Sequence, residues 1–215
     1  MNRVYAFCVL VPLWLNLLEL KLVIATKNLG KLAEIVDLLK GLDYEVESLS
    51  NYPEIGDIPE DGNTFIENAT KKAVATAKLT GQLSLADDSG VEVTALNGRP
   101  GIKSSRYAKT DKERNRKLLG ELKDIHWEKR NARFVCAVAI ATSDGRVQTV
   151  QETCDGIIAF EPKGTNGFGF DPVFYYPLLD KTFAELSREE KSKYSHRGKA
   201  LRKAKEILKK LLIKS

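Results

Sequence analysis

The stretch between residues 22 and 49 constrains the fold more than any other part of this sequence. Residues 22–26 (LVIAT) form a short continuous apolar run, the pattern of a buried strand. KNLGK at 27–31 breaks that run, and Leu32, Ile35, Val36, Leu38 and Leu39 then recur at helical spacing until Gly41. Residues 44–49 (YEVESL) read as a second strand. Strand, helix and strand in direct succession favour an α/β fold. At 215 residues the chain can bury one sizeable core, so residues 21–215 are read as a single domain. With 43% hydrophobic and 29% charged residues, wholesale disorder, collagen-like repeats and a polytopic membrane architecture are excluded.

Further along, residues 50–63 are acidic, rich in Pro and Gly, and aperiodic, as in a loop. Thr64 can cap the next helix with Glu67 as its capping-box partner, and Ile66, Ala69, Ala73 and Ala77 supply an apolar stripe that runs on until Gly81. Residues 83–86 read as a strand that stops at Asp87-Asp88-Ser89-Gly90, with residues 91–96 resuming it. A polar helix is expected over 111–122, then a hairpin of 132–142 and 147–160. With Asp144-Gly145 as a two-residue turn, Cys136 would face Thr153 and Cys154 would point to the opposite side of the sheet. A Gly-rich loop at 163–169, a strand at 170–174, a short helix near 182–185 and an amphipathic helix over 196–212 complete the chain.

Residues 4–18 are almost wholly apolar behind one arginine, yet no small-residue cleavage site follows and the run is too short to span a bilayer. Residues 1–20 are therefore read as a dispensable extension or an over-extended start. Three cysteines without a CxxC pair argue against a disulfide framework or zinc site and for a reducing, cytoplasmic setting. The net charge of +5 is uneven, because residues 188–215 carry 11 of the 34 Lys and Arg against three acids. Such a run is most often a solvated helix face, although it suits RNA or a phosphorylated small molecule as well.

Four clusters can carry chemistry. Residues 26–31 join a strand to a helix N-terminus, where free N–H groups and the helix dipole favour anions and Lys27 and Lys31 add charge. Asp87 and Asp88 are costly in a buried strand unless paired, hydrated or bound to a cation such as magnesium, the alternative being an Asx-type turn. Glu60 in the acidic loop can add an oxygen, with Glu54, Asp57 and Asp61 as rivals. Residues 164–171 (GTNGFGFD) offer Phe168 and Phe170 for stacking or for the core, and Lys191, Ser195, His196 and Arg197 surround the start of the last helix. No Ser-His-Asp or Cys-His arrangement is evident, so covalent catalysis is not expected.

Taken in order, ATKNLGKLAEI (25–35), EDGNTFIENA (60–69), ADDSGVEV (86–93), GRPGIKSSRYA (98–108), GTNGFGFDPVF (164–174) and LSREEKSKYSHRGKAL (186–201) resemble the noncanonical purine nucleoside triphosphate pyrophosphatases, the inosine triphosphate pyrophosphatase family. The resemblance implies a mixed-sheet α/β fold with two lobes around a central substrate cleft. It implies a homodimer that splits ITP, dITP or XTP into monophosphate and pyrophosphate with Mg2+, cleansing the nucleotide pool, with neither nucleic acid nor membrane as a partner. By motif match, Thr26, Lys27, Asn28, Leu29, Gly30 and Lys31 would hold the triphosphate. Glu60, Asp87 and Asp88 would bind metal, Asp88 would also accept the proton from water, and Ser89 would touch substrate. Phe168, Gly169, Phe170, Asp171, Lys191, His196 and Arg197 would frame the base and phosphates, with Arg197 donating to the O6 acceptor of a 6-oxo purine. Two competitors remain at this level, a pyrophosphatase for other modified nucleotides and a non-enzymatic RNA-binding module built on the basic C-terminal helix.

Overall fold

The computed structural model describes residues 20–213. The apolar extension expected over residues 1–20 lies outside the described residues apart from Leu20, as does Cys8. The opening pattern folds as read: β1 (Lys21–Ile24), α1 (Leu29–Leu39) and β2 (Glu45–Ser48), the two strands parallel. Next come α2 (Phe65–Thr80), β3 (Leu83–Val93), α3 (Asp111–Glu121), β4 (Asn131–Ala141), β5 (Val147–Ile158), β6 (Phe174–Tyr176), β7 (Lys181–Thr182), α4 (Arg188–Tyr194) and α5 (His196–Leu212). They build one mixed seven-stranded sheet in the order β2-β1-β3-β4-β5-β6-β7, with β2 and β3 parallel to β1 and the remaining neighbours antiparallel.

Strand alternation divides the core. Leu22, Ile24, Leu85, Cys136, Val138 and Ile140 face α1 and α5, meeting Ile35, Leu39, Leu201, Ala204 and Leu208. Ala86, Val135, Ala137, Ala139 and Ala141 face α2, whose Ala69, Ala73 and Ala77 allow close approach. A third apolar cluster, built on Phe134, Phe174, Phe183, Leu118 and Leu122, fills the other lobe under α3 and the C-terminal segments. Several cations of α5 bond to oxygens of this chain: Lys199 to the Thr153 carbonyl, Arg202 to Ser192 and Lys193, and Lys205 to Leu38 and Lys40. Together with its buried apolar stripe, this makes α5 a structural helix with a solvated face. Among the described residues, no helix is long and apolar enough to cross a membrane.

Six local expectations need correction. β3 does not stop at Asp87; its register with β4 runs unbroken from Ser84 to Val93, which removes the Asx-turn reading and sets both acids in mid-strand. The hairpin pairs Cys136 with Glu152, one residue away from the expected Thr153. The reason is a three-residue loop in which Gly145 adopts φ +91°, the geometry of a type I turn followed by a left-handed residue. Cys136 and Cys154 therefore share a sheet face, and both are buried free thiols. In α2 it is Phe65 that packs inward while Ile66 is exposed, and Glu67 returns its side chain to the Asn63 N–H, one residue before the capping Thr64. Finally, the strand expected at 170–174 begins only at Phe174, since residues 170–173 form a turn.

Candidate active site

β1 ends at Ile24, and after Ala25 bonds to the Leu85 carbonyl the chain leaves the sheet for α1. β3 continues past that point, and from Asp87 onward its β1-side edge meets, among the described residues, only an isolated bridge between Glu92 and Pro100. α1 and α2 cover opposite faces, which makes this the switch point of the parallel part of the sheet, where α/β folds place ligands beyond the carboxyl ends of strands. A cavity of about 480 Å3 opens there, lined among others by Thr26, Lys27, Asn28, Lys31, Glu60, Lys72, Asp88 and Ser89. It is joined through Asn28, Lys31 and Ser89 to a narrower one of about 80 Å3, lined by Phe168, Gly169, Phe170, Asp171, Lys191, His196 and Arg197.

The wider cavity has a basic rim and an acidic floor. Asn28 caps α1 by accepting from the Lys31 N–H at 3.0 Å, so the first turn of the helix faces the cleft. Asp88 accepts from Asn68 Nδ2 at 3.0 Å and from the Ser89 N–H at 2.9 Å. Lys72 donates to Glu60 Oε1 at 2.5 Å and to the Asp87 carbonyl at 2.7 Å, occupying the open strand edge. Burial raises the Asp88 pKa, and nearby Lys72, Lys31 and the Asn68 bond only partly offset it. Burial pulls Lys72 down, but Asp87, Asp88 and Glu60 outweigh it and raise the ammonium pKa.

On the other face of β3 lies a buried ionic chain. Asp87 Oδ2 is 3.0 Å from Lys31 Nζ and 3.2 Å from Arg197 Nη2. Arg197 also donates to Glu34 at 2.7 Å and Ser89 Oγ at 2.6 Å, and Lys191 links Glu34 at 2.8 Å to Asp171 at 2.5 Å. Burial pushes Asp87 up, yet Lys31, Arg197 and Lys72 prevail and hold it well below the usual carboxylate range. Asp171 is shifted the opposite way, raised by burial against the pull of Lys191. His196 stacks on Phe134 with ring centroids 4.5 Å apart; burial and the charges of Arg197 and Lys191 keep it neutral, and its Nδ1 has no partner among the described residues.

Most of the residues singled out in the sequence thus converge on one cleft, but four occupy different positions from those expected. Leu29 is 76% exposed and lines neither cavity. Gly30 lines neither as well; it faces Phe168, where a Cβ would stand 2.7 Å from the ring. Asp87 is fully buried and directed away from the wider cavity, because adjacent strand residues point to opposite faces. Arg197 lines the narrow cavity, but four of its five N–H groups are taken by Asp87, Glu34 and Ser89, so it is a strut rather than a free donor for O6. In the acidic loop Asp57 pairs with Lys27, Asp61 with Lys71 and Glu60 with Lys72; Asp57 and Glu60 both line the wider cavity, and it is Glu60 whose charge acts on Asp88.

Sequence reasoning missed Glu34, Asn68, Lys72 and Arg106. Glu34 sits three residues after Lys31, and Asn68 and Lys72 sit four apart among the buried alanines of α2, so helical spacing carried a signal for these three. Arg106 lines the wider cavity and donates to the Glu60 carbonyl at 3.1 Å. No periodicity points to it.

Fold and cleft together define a mixed-sheet α/β protein with an anion-receiving crevice at its switch point. The chain belongs to the Ham1 family, whose profile matches residues 22–207. It is 51% identical over 197 residues to a dITP/XTP pyrophosphatase of Desulforamulus reducens, covering 90% of this chain and 98% of the relative. A second dITP/XTP pyrophosphatase, from Halalkalibacterium halodurans, is 51% identical over 183 residues, covering 84% and 94%. Among solved structures, a HAM1 protein from Coxiella burnetii superposes with a TM-score of 0.81 at 42% identity, covering 89% of this chain and 99% of that one. The Staphylococcus aureus Ham1 protein gives 0.79 at 42% identity, covering 88% and 98%. The resemblance read from six motifs is the relationship these comparisons find.

Proposed function

We propose that this protein is a nucleoside triphosphate pyrophosphatase that converts dITP, XTP and ITP into the monophosphate and pyrophosphate, cleansing the cytoplasmic nucleotide pool. One observation carries the reading. Asp88, a carboxylate whose pKa is raised by burial, faces the same cavity as the N-terminus of α1 and Lys27, Lys31 and Lys72. A triphosphate of about four negative charges needs such a basic rim, and the attacking water needs a proton acceptor beside it. Asp88 is held for that task by donors from Asn68 and the Ser89 N–H, which fix its plane. The names of the relatives support the same substrate class.

Among the described residues, no three His, Cys, Asp or Glu side chains converge into a ready-made metal cage. Magnesium usually takes one or two carboxylates, several waters and substrate phosphates. Glu60 and Asp88 present hard oxygens to one cavity and are assigned as its protein ligands. When bound, the cation would neutralise charge on the phosphates. Asp87 departs from the expected ligand set: paired with Lys31 and Arg197, it fixes those two cations beneath the cleft.

In the narrow cavity the base would rest against Phe168, and the neutral His196 offers one donor and one acceptor for its edge. A homodimer, as in the family resemblance, is part of this reading and is checked by light scattering. The decisive experiment is product analysis from a panel of triphosphates with and without magnesium. Pyrophosphate and monophosphate from ITP, dITP and XTP are expected; orthophosphate, or a preference for a pyrimidine triphosphate, rejects the reading.

A further inference from the structure

The narrow cavity is closed by a wall one chain thick. Phe168 and Gly169 line it from one side, and the same two residues line a separate groove of about 600 Å3 on the side of α3. The Phe168 ring packs on Gly30 of α1, but the backbone of 168–169 has open space on both sides, so directed hydrogen bonds hold it. Asp171 accepts from the Phe168 N–H at 2.8 Å. The Phe168 carbonyl in turn accepts from the Asp171 N–H at 3.3 Å, and two further bonds come from α3, where Asp111 Oδ2 accepts from the Gly169 N–H at 2.7 Å and Asn115 Nδ2 donates to the Gly169 carbonyl at 3.0 Å. Asp111 and Asn115 are four residues apart and so share one helix face, presenting an acceptor and a donor to the same glycine. Asn115 is buried with its Oδ1 unpartnered among the described residues, a cost that an apolar residue at this position would avoid. Its bond to Gly169 is the return on that cost.

Building on the nucleotide reading above, we infer that Asp111 and Asn115 are positioning residues for the purine, setting base affinity and discrimination through Gly169 and the Phe168 ring while touching neither phosphates nor metal. The Phe168 ring links their effect to the charged floor, with Lys191 Nζ 4.7 Å and the Arg197 guanidinium 5.4 Å from its centroid. A wall displaced toward the groove would lose the base and leave the triphosphate cradle of α1 unchanged.

The test compares Asp111→Ala, Asn115→Ala and the conservative Asp111→Asn, whose amide oxygen still accepts from Gly169. Three readouts are taken: calorimetric affinity for IMP, steady-state hydrolysis of ITP and ATP, and inhibition by inorganic tripolyphosphate, which has no base. Both alanine variants are expected to weaken IMP binding and raise KM for ITP about tenfold, with kcat within about twofold and a smaller ITP-to-ATP preference. Tripolyphosphate inhibition should be unchanged, and Asp111→Asn should restore IMP affinity to within about twofold. Asp111 lies in the half-exposed first turn of α3, so its alanine variant carries the test even where Asn115→Ala does not fold. Unchanged IMP affinity in a folded Asp111→Ala protein overturns the inference. So does an equal loss for IMP and tripolyphosphate, which would mean general loosening. A parent protein that hydrolyses no triphosphate yet binds IMP in this Asp111-dependent way would reject the enzymatic reading and keep the positioning role.

Discussion

Asp87 and Asp88 are chemical twins separated by one peptide bond, and strand alternation gives them opposite fates. Asp88 faces a solvent-connected cavity, and burial raises its pKa more than Lys72 and Lys31 lower it. Asp88→Asn keeps the shape and removes the proton acceptor, so kcat should fall at least about a hundredfold with binding and fold intact. Near-parental turnover in a product assay would remove Asp88 from the chemistry. Because the carboxylate must be ionised to accept a proton, kcat/KM should fall on the acid side as Asp88 is protonated, and Asp88→Asn should remove that acid limb. Asp87 behaves differently. Its replacement by Ala strands Lys31 and Arg197, and breaking a buried pair costs about 3 to 5 kcal/mol, so urea unfolding should show a large loss of stability before any magnesium effect is measurable. Arg197→Ala should destabilise in the same way, where a free base-reading arginine would have altered only the ITP-to-ATP ratio.

At the level of elements, α4 and α5 meet at a right contact only because residue 198 lacks a side chain. A Cβ on Gly198 would stand 1.7 Å from the Ser192 carbonyl oxygen, a backbone atom that cannot swing aside. Gly198→Ala should therefore push the start of α5 off α4 and shift His196 and Arg197 with it, at an overpacking cost of about 1 to 3 kcal/mol. Calorimetry should record a Tm lowered by roughly 2 to 4 °C per kcal/mol, together with a raised KM; an unchanged Tm would show that the helices re-seat freely. The elements that sequence reasoning placed correctly, β1 to β2, α2, α3 and α5, have local signatures: a periodic apolar face with a cap or a glycine stop. The failures are tertiary. An Asp-Asp-Ser-Gly run looks like a turn, and only the ladder with β4 and the ionic partners from α1, α2 and α5 keep it extended. The hairpin register turned on one residue, because Asp-Gly serves a two- or a three-residue loop equally well. The site was legible as residue types, while the geometry that spends Arg197 on Asp87 and Glu34 was not, since it depends on a partner 163 positions away.

Across the whole molecule, the buried ionic chain separates the apolar core under α1 and α5 from that under α3, so the two lobes are joined through charge as well as through the sheet. Stability should therefore depend on pH in a particular way. For Asp87, burial is outweighed by Lys31 and Arg197; for Glu34, burial is likewise outweighed by Arg197 and Lys191, and both carboxyls are lowered in the folded state. A carboxyl lowered on folding contributes stability that is fully present above its unfolded value and is lost as pH falls below it, here below the ordinary 3.8 and 4.5. Asp88 and Asp171, raised mainly by burial, act with the opposite sign: they cost stability at neutral pH, and that cost is relieved as pH falls through their raised values. Above about pH 5 only the raised pair can take up protons, so the urea midpoint should hold or rise slightly as pH falls from 7 and then drop steeply below about pH 4, where Asp87 and Glu34 are protonated. In Asp87→Asn the midpoint should already be low at pH 7, and its further drop below pH 4 should be shallower, because the principal group that loses its ion pairs on protonation is gone. Unfolding curves for the two proteins at matched ionic strength from pH 3 to 7 decide the matter; profiles that run parallel through the acid range would show that some other carboxylate governs acid unfolding.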